Sequence, residues 1–246
     1  MNVIITGAAS GIGKATAERL AKRAHVILAD KNIDGARAVA AQLTAAGHKA
    51  DALEVDVASK SAMFDMVARA RKLVGPIDAL FSNAGVNIRA PVADITEADW
   101  DRMMTTHVKG CFLAAQAVLP DMVARGKGAI VNTSSDFAVM GVAGIAAYCA
   151  AKTAIYSLTK AMAVEFTPAG VRINAIGPGP IDTPLLRSGR TADQFSAQQS
   201  KYAAALPIGR LGRPEEVAVV VDYLLSDRAS YVSGTILHPN GGQLLW

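Results

Sequence analysis

Cysteine is nearly absent. Only Cys111 and Cys149 occur in 246 residues, both inside stretches that read as helices, so no disulfide framework holds this chain. No apolar run reaches the roughly 18 residues that a membrane helix needs. The opening residues lack the basic, apolar and small-residue order of a signal peptide and run straight into Val3-Ile4-Ile5. Aromatic residues make up 5% of the chain, and the Lys and Arg behind its net charge of +4 are scattered, without a basic run. Nucleic-acid binding and a membrane span are therefore both disfavoured. At 51% hydrophobic and 19% charged residues, the composition also excludes a disordered chain. What remains is a soluble, cytoplasmic, globular protein whose slight positive excess favours small anionic molecules.

What is present is alternation. Short apolar runs at 2–6, 25–30, 49–55, 78–82, 129–134, 171–176 and 235–237 read as strands. Between them, 12–23, 34–46, 59–73, 96–122 and 145–166 read as helices, and 214–225 is a further helix opened by Pro214. Ser59 is a cap, and Thr96-Glu97-Ala98-Asp99 is a capping box. This order predicts an α/β fold: one doubly wound, Rossmann-like domain over 1–246, with about seven parallel strands and helices on both faces. A partly helical excursion over about 183–211 interrupts the last crossover.

The first strand runs into Thr6-Gly7-Ala8-Ala9-Ser10-Gly11-Ile12-Gly13, just before a helix. Glycines there let backbone approach a pyrophosphate, and the helix N-terminus adds free N–H groups and positive dipole. Asp30 closes the second strand, where a carboxylate accepts ribose hydroxyls and repels a 2′-phosphate. The expected cofactor is therefore NAD, with NADP less favoured, although Lys31 next door pulls the other way. The ordinary alternative, a plain glycine loop, leaves Asp30 unexplained.

Tyr148 and Lys152 stand four residues apart on one helix, about one turn from each other. A tyrosine hydroxyl titrates near 10, and a nearby ammonium favours its ionised form, which suits a general acid/base. Ser134 and Ser135 follow the fifth strand, where a hydroxyl can steady a substrate oxygen. Alone, the Tyr–Lys pair could be a surface coincidence.

Together these features resemble the short-chain dehydrogenase/reductase family, in its branch of about 250 residues. The matching motifs run the length of the chain: residues 6–13, Asp30, Asp56-Val57, Asn83-Ala84-Gly85, Ser135, Tyr148 with Lys152, Pro178-Gly179 with Ile181 and Thr183, and Asn240-Gly241-Gly242. The resemblance implies that Gly7, Ser10, Gly11, Ile12, Gly13 and Asp30 hold the dinucleotide and that Asp56 and Val57 meet the adenine. Asn83, Ala84 and Gly85 would line the adenosine side and support the sheet, while Pro178, Gly179, Ile181 and Thr183 would hold the nicotinamide end. Asp56 could equally be a solvated turn residue and Thr183 a helix cap. The family places its serine thirteen residues before the tyrosine, which selects Ser135 and leaves Ser134 structural. Ser135 and Tyr148 would then also contact the substrate, and Lys152 the nicotinamide ribose.

Two positions depart from the family. His107 stands in Thr106-His107-Val108-Lys109-Gly110 where an asparagine is usual; there its main-chain carbonyl holds a water of a proton relay. The imidazole could add a titrating step or simply fill space, and the second reading is favoured. Asn240 replaces a usual aspartate in a turn, with little expected effect.

The expected reaction is interconversion of a secondary alcohol and a ketone on a small polar substrate. Arg187, in the excursion with Arg190, Lys201 and Arg210, is the candidate anchor for an anionic one, and Arg89 lies on another wall. Phe137, Val139 and Met140 could line an apolar wall. The alternatives are an NADP-dependent ketoreductase resembling 3-oxoacyl reductases, a non-catalytic dinucleotide-binding regulator, and an epimerase or dehydratase. The family resemblance further implies a homodimer or homotetramer paired through the two long helices. Leu244-Leu245-Trp246 is expected to pack on its own subunit or a neighbour.

Overall fold

The computed structural model describes residues 1–244, so Leu245 and Trp246 of the expected packed tail lie outside the described residues. Seven strands form one parallel sheet: β1 (Asn2–Thr6), β2 (His25–Asp30), β3 (Ala50–Glu54), β4 (Ala79–Ser82), β5 (Gly128–Thr133), β6 (Val171–Ile176) and β7 (Ile236–Leu237). Their order is β3-β2-β1-β4-β5-β6-β7.

The central strands are apolar without alternation because both faces are covered. In register, Ile4 lies beside Ile27 and Leu80, and Ile5 beside Leu28 and Phe81. Ile4, Ile27, Leu80 and Ile130 pack under α3 (Lys60–Val74), α5 (Gly110–Ala124) and α6 (Ala146–Phe166), through residues such as Met63, Met66, Leu113 and Met162. Val3, Ile5, Leu28 and Phe81 face α1 (Gly11–Leu20), α2 (Ile33–Ala45) and α9 (Pro214–Leu224), through Leu20, Val39 and Val221. This is the expected doubly wound α/β fold.

The chain turns from β1 to β2 on one side and resumes at β4 on the other. The strand ends diverge there, which is where open sheets of this kind place a ligand cleft. The excursion contains α7 (Pro184–Arg187) and α8 (Ala192–Ala205). No helix among the described residues is long and apolar enough to cross a membrane.

The single helix expected over 96–122 is broken. It begins as α4 (Glu97–Met104), capped by the Thr96 hydroxyl, passes through a π-helical turn (Thr105–Lys109), and continues as α5 beyond Pro120 to Ala124. The wider turn admits an extra residue and re-aims the side chains on either side of it. His107 lies in that turn and is buried.

Candidate active site

Thr6 ends β1 with its hydroxyl accepting the N–H groups of Asn83 (3.0 Å) and Ala84 (3.1 Å). The Asn83 amide donates back to the carbonyls of Thr6 (3.1 Å) and Gly7 (3.2 Å). The glycine turn is thereby bolted to the end of β4. Gly7 has φ +67°, a conformation that favours glycine. A Cβ on Gly13 would sit 2.1 Å from the Gly7 carbonyl oxygen, so only glycine lets α1 start this close to the turn.

Ser10 precedes α1 without capping it, whereas Asn32, Ser59 and Thr96 each cap their helices. The first N–H groups of α1 thus lack a side-chain acceptor, and Ser10, Gly11 and Ile12 line a cleft of about 590 Å³. Asp30 lines it too. Its carboxylate accepts from Ala9 N (2.9 Å) and Asn32 N (2.8 Å), which fixes it while leaving lone pairs for a ligand hydroxyl. Lys31 is drawn away to Asp56 at 2.9 Å, and that contact, with the Ala58 N–H, holds the Asp56 carboxyl below its usual range. The uncapped helix end and the fixed carboxylate fit the pyrophosphate and ribose of a dinucleotide.

A second, smaller cavity of about 130 Å³ adjoins the cleft and shares Ile12, Asn83, Gly85, Thr183 and Leu185 with it. Ser135, Tyr148 and Lys152 meet here. Ser135 stands at the end of the β5 segment, where its hydroxyl accepts from Phe137 N (3.2 Å). Lys152 Nζ donates to the Thr133 carbonyl at 2.7 Å and lies 5.4 Å from the centre of the Tyr148 ring. Ser134 donates to the Lys152 carbonyl at 2.9 Å, which is the structural part expected for it. Burial lowers Lys152 to about 7. Burial also raises Tyr148 to about 12, against the opposing pulls of the Ser135 hydrogen bond and the Arg89 charge. The protein alone therefore does not lower the tyrosine as expected, because burial outweighs its neighbours and the lysine is itself only partly charged near neutrality.

His107 meets the Tyr148 ring edge-on, with centroids 5.5 Å apart and planes at 87°. Its Nε2 lies 2.8 Å from the Val86 carbonyl oxygen and 3.2 Å from Val86 N, while Nδ1 is buried without a partner among the described residues. A proton on Nδ1 would find no acceptor among them. Burial, followed by the Lys152 charge, lowers His107 to about 3. The ring is neutral at working pH and packs tightly, so the expectation of a titrating relay member gives way to the space-filling one.

Comparison with known proteins supplies the family. The family model described as Enoyl-(Acyl carrier protein) reductase matches residues 7–243. A solved short-chain type dehydrogenase/reductase from Mycobacterium marinum superposes with a TM-score of 0.93 at 32% identity, covering 100% of this chain and 96% of that one. The chain belongs to the short-chain dehydrogenase/reductase family. Among curated relatives, the cis-4-hydroxycyclohexanecarboxylate dehydrogenase of Sinomonas cyclohexanicum is 41% identical over 97% of this chain and 94% of its own length. The NAD-dependent glycerol dehydrogenase of Listeria innocua is 40% identical over 97% of this chain and 92% of its own. Membership of this family places the chain among oxidoreductases.

Within the family frame, most expected positions fall together. Val57, Ala84 and Gly85 line the cleft, and Pro178, Gly179 and Ile181 line the catalytic cavity. Thr183 lines both and also caps α7 by accepting from Leu186 N. Phe137 borders the cavity as expected, whereas Val139 is exposed to solvent. Arg187 is a correction. Its guanidinium grips both oxygens of Asp182 and lies over the Phe195 ring, outside the cavity that holds Tyr148. Asn240 holds its turn through Gly242 N, as expected.

Sequence reasoning missed the pair behind Ser135. Asp136 is completely buried and its carboxylate meets His238 Nδ1 at 2.6 Å. Burial raises the Asp136 carboxyl, and His238 and Asn240 oppose that. The only linear signals were an acid beside the serine and a histidine two residues before Asn240, which nothing in the chain order connects.

Proposed function

We propose that this enzyme interconverts a secondary alcohol and its ketone, with NAD as cofactor and a small polar molecule as substrate. The observation that supports the reading best is the junction of the two cavities, where Ser135, Tyr148 and Lys152 adjoin the Asp30 cleft across a shared wall. The oxidised nicotinamide, when bound, supplies the hydride acceptor and a positive charge beside the tyrosine. In oxidation Tyr148 takes the hydroxyl proton as the carbonyl forms. Ser135 donates a hydrogen bond to the substrate oxygen. Lys152, held by the Thr133 carbonyl, would hold the nicotinamide ribose, and in its charged form it would favour the phenolate. In reduction each step reverses. His107 serves as a neutral wall behind Tyr148 and takes no proton. NAD is favoured by the Asp30 carboxylate, which repels a 2′-phosphate, and by Lys31 being engaged with Asp56.

The subunit is proposed to pair through α5 and α6. Phe112 and Val164 are exposed there, and an apolar groove runs from Phe112 to Phe166. A cytoplasmic homodimer or homotetramer follows, which light scattering measures. The reaction is tested by NADH formation across a panel of polyols, cyclic alcohols and hydroxy acids, with NADP as control. Tyr148→Phe is expected to lower kcat by about 10²- to 10⁴-fold. A preference for NADP would overturn the reading of Asp30, and full activity in the Tyr148→Phe enzyme would overturn that of the tyrosine.

A further inference from the structure

We propose that Arg89 anchors a carboxylate on the alcohol substrate, so that the cavity selects hydroxy acids over neutral alcohols of the same shape. This rests on the reading of the cavity as an alcohol site and names the substrate class it takes.

Most basic side chains near the cavity are already engaged. Arg187 is held by Asp182, Arg190 by the Leu186 carbonyl, and Arg210 by Glu216. Lys152 is held by Thr133. Arg89 also borders the cavity, and among the described residues it has no acidic partner and no hydrogen bond of its own. No aspartate or glutamate lines that cavity, and His107 is neutral. Arg89 is exposed at the rim of the cavity, where an unbalanced guanidinium favours an anion and its planar fork matches a carboxylate in two-point contact.

The backbone around Arg89 is held in place. The stretch carrying Arg89 has no regular secondary structure, yet it is pinned at both ends. The Val86 carbonyl oxygen lies 2.8 Å from His107 Nε2, and Ala90 N donates to the Gly144 carbonyl at 3.0 Å, just ahead of α6. The backbone on either side of Arg89 is therefore tied to the elements that carry His107 and Tyr148. Arg89 and Tyr148 line the same cavity, so the two ends of one small ligand can reach both.

The test compares two isosteric alcohols, 4-hydroxycyclohexanecarboxylate and its neutral carboxamide, using the intact enzyme and the preferred nicotinamide cofactor. The readout is the ratio of their kcat/KM values. The wild-type ratio is expected to favour the acid. In Arg89→Gln that ratio should fall by about 10- to 100-fold, mainly through KM for the acid, with Arg89→Lys between the two. Cyclohexanecarboxylate should inhibit the wild type competitively against the alcohol, and Arg89→Gln should raise its inhibition constant by a similar factor. Thermal unfolding of each variant checks that the fold is intact. An unchanged ratio in Arg89→Gln overturns the proposal. So does a wild type that oxidises neutral alcohols and refuses the acid, while leaving the alcohol reading in place. A wild type that oxidises no secondary alcohol with either nicotinamide cofactor overturns both.

Discussion

Replacing His107 by asparagine, the residue that the family resemblance leads one to expect there, should make the protein less sensitive to acid. The folded imidazole titrates near 3, because protonation would leave a buried charge beside Lys152 with no acceptor for Nδ1. The unfolded imidazole titrates near its ordinary 6.5. The unfolded chain therefore binds this proton first, so stability from this site is complete above 6.5 and is lost as pH falls from 6.5 toward 3. Between about pH 8 and about pH 5 the loss is about 2 kcal/mol. Urea unfolding of wild type and His107→Asn at both pH values, at one protein concentration, measures it. The variant starts lower, since its side chain fills less space, but the change with pH is the quantity that matters. Every other titrating group is common to the two proteins and cancels in the subtraction. The wild type should lose about 2 kcal/mol more than the variant. Equal losses would mean that the folded protein accepts the proton, and the neutral-wall account of His107 would be wrong.

Other expectations follow from the same geometry. Asp30→Ser removes the carboxylate that repels a 2′-phosphate, and the NAD-to-NADP ratio of kcat/KM should fall by roughly 10-fold or more; an unchanged ratio would point to another discriminator. His238→Leu strips the buried Asp136 carboxylate of its imidazole at 2.6 Å, and chemical denaturation should register a loss of about 3 kcal/mol. Its kcat should fall as well, because Asp136 adjoins Ser135 and its own N–H binds the Pro178 carbonyl.

The sheet was legible because buried parallel strands announce themselves as unbroken apolar runs, and each observed strand lies within a residue or so of the expected one. The residues expected to hold the cofactor come together because the turn after β1, the end of β2 and the end of β4 are brought together by the topology itself. The π-helical turn was not legible. One extra residue in a helix leaves the apolar period nearly intact, so 96–122 reads as continuous. Arg187 misled for a different reason. Its charge and loop position suggested a free guanidinium, but Asp182, five residues upstream, faces it once α7 forms. The Asp136–His238 pair spans 102 residues and could be found only in three dimensions. The ionisation of Tyr148 and Lys152 depends on how completely each is enclosed, which spacing along a helix does not encode.

The contact between Gly85 and His107 limits how this sequence can drift. A methyl group on Gly85 would sit 2.5 Å from the imidazole Cε1, so the two positions cannot vary independently. Alanine at 85 becomes tolerable only after 107 has shrunk, and a return to glycine must precede any return to histidine. The order of substitutions matters here as much as their identity. The histidine that looked like a catalytic novelty thus constrains what its glycine neighbour can become.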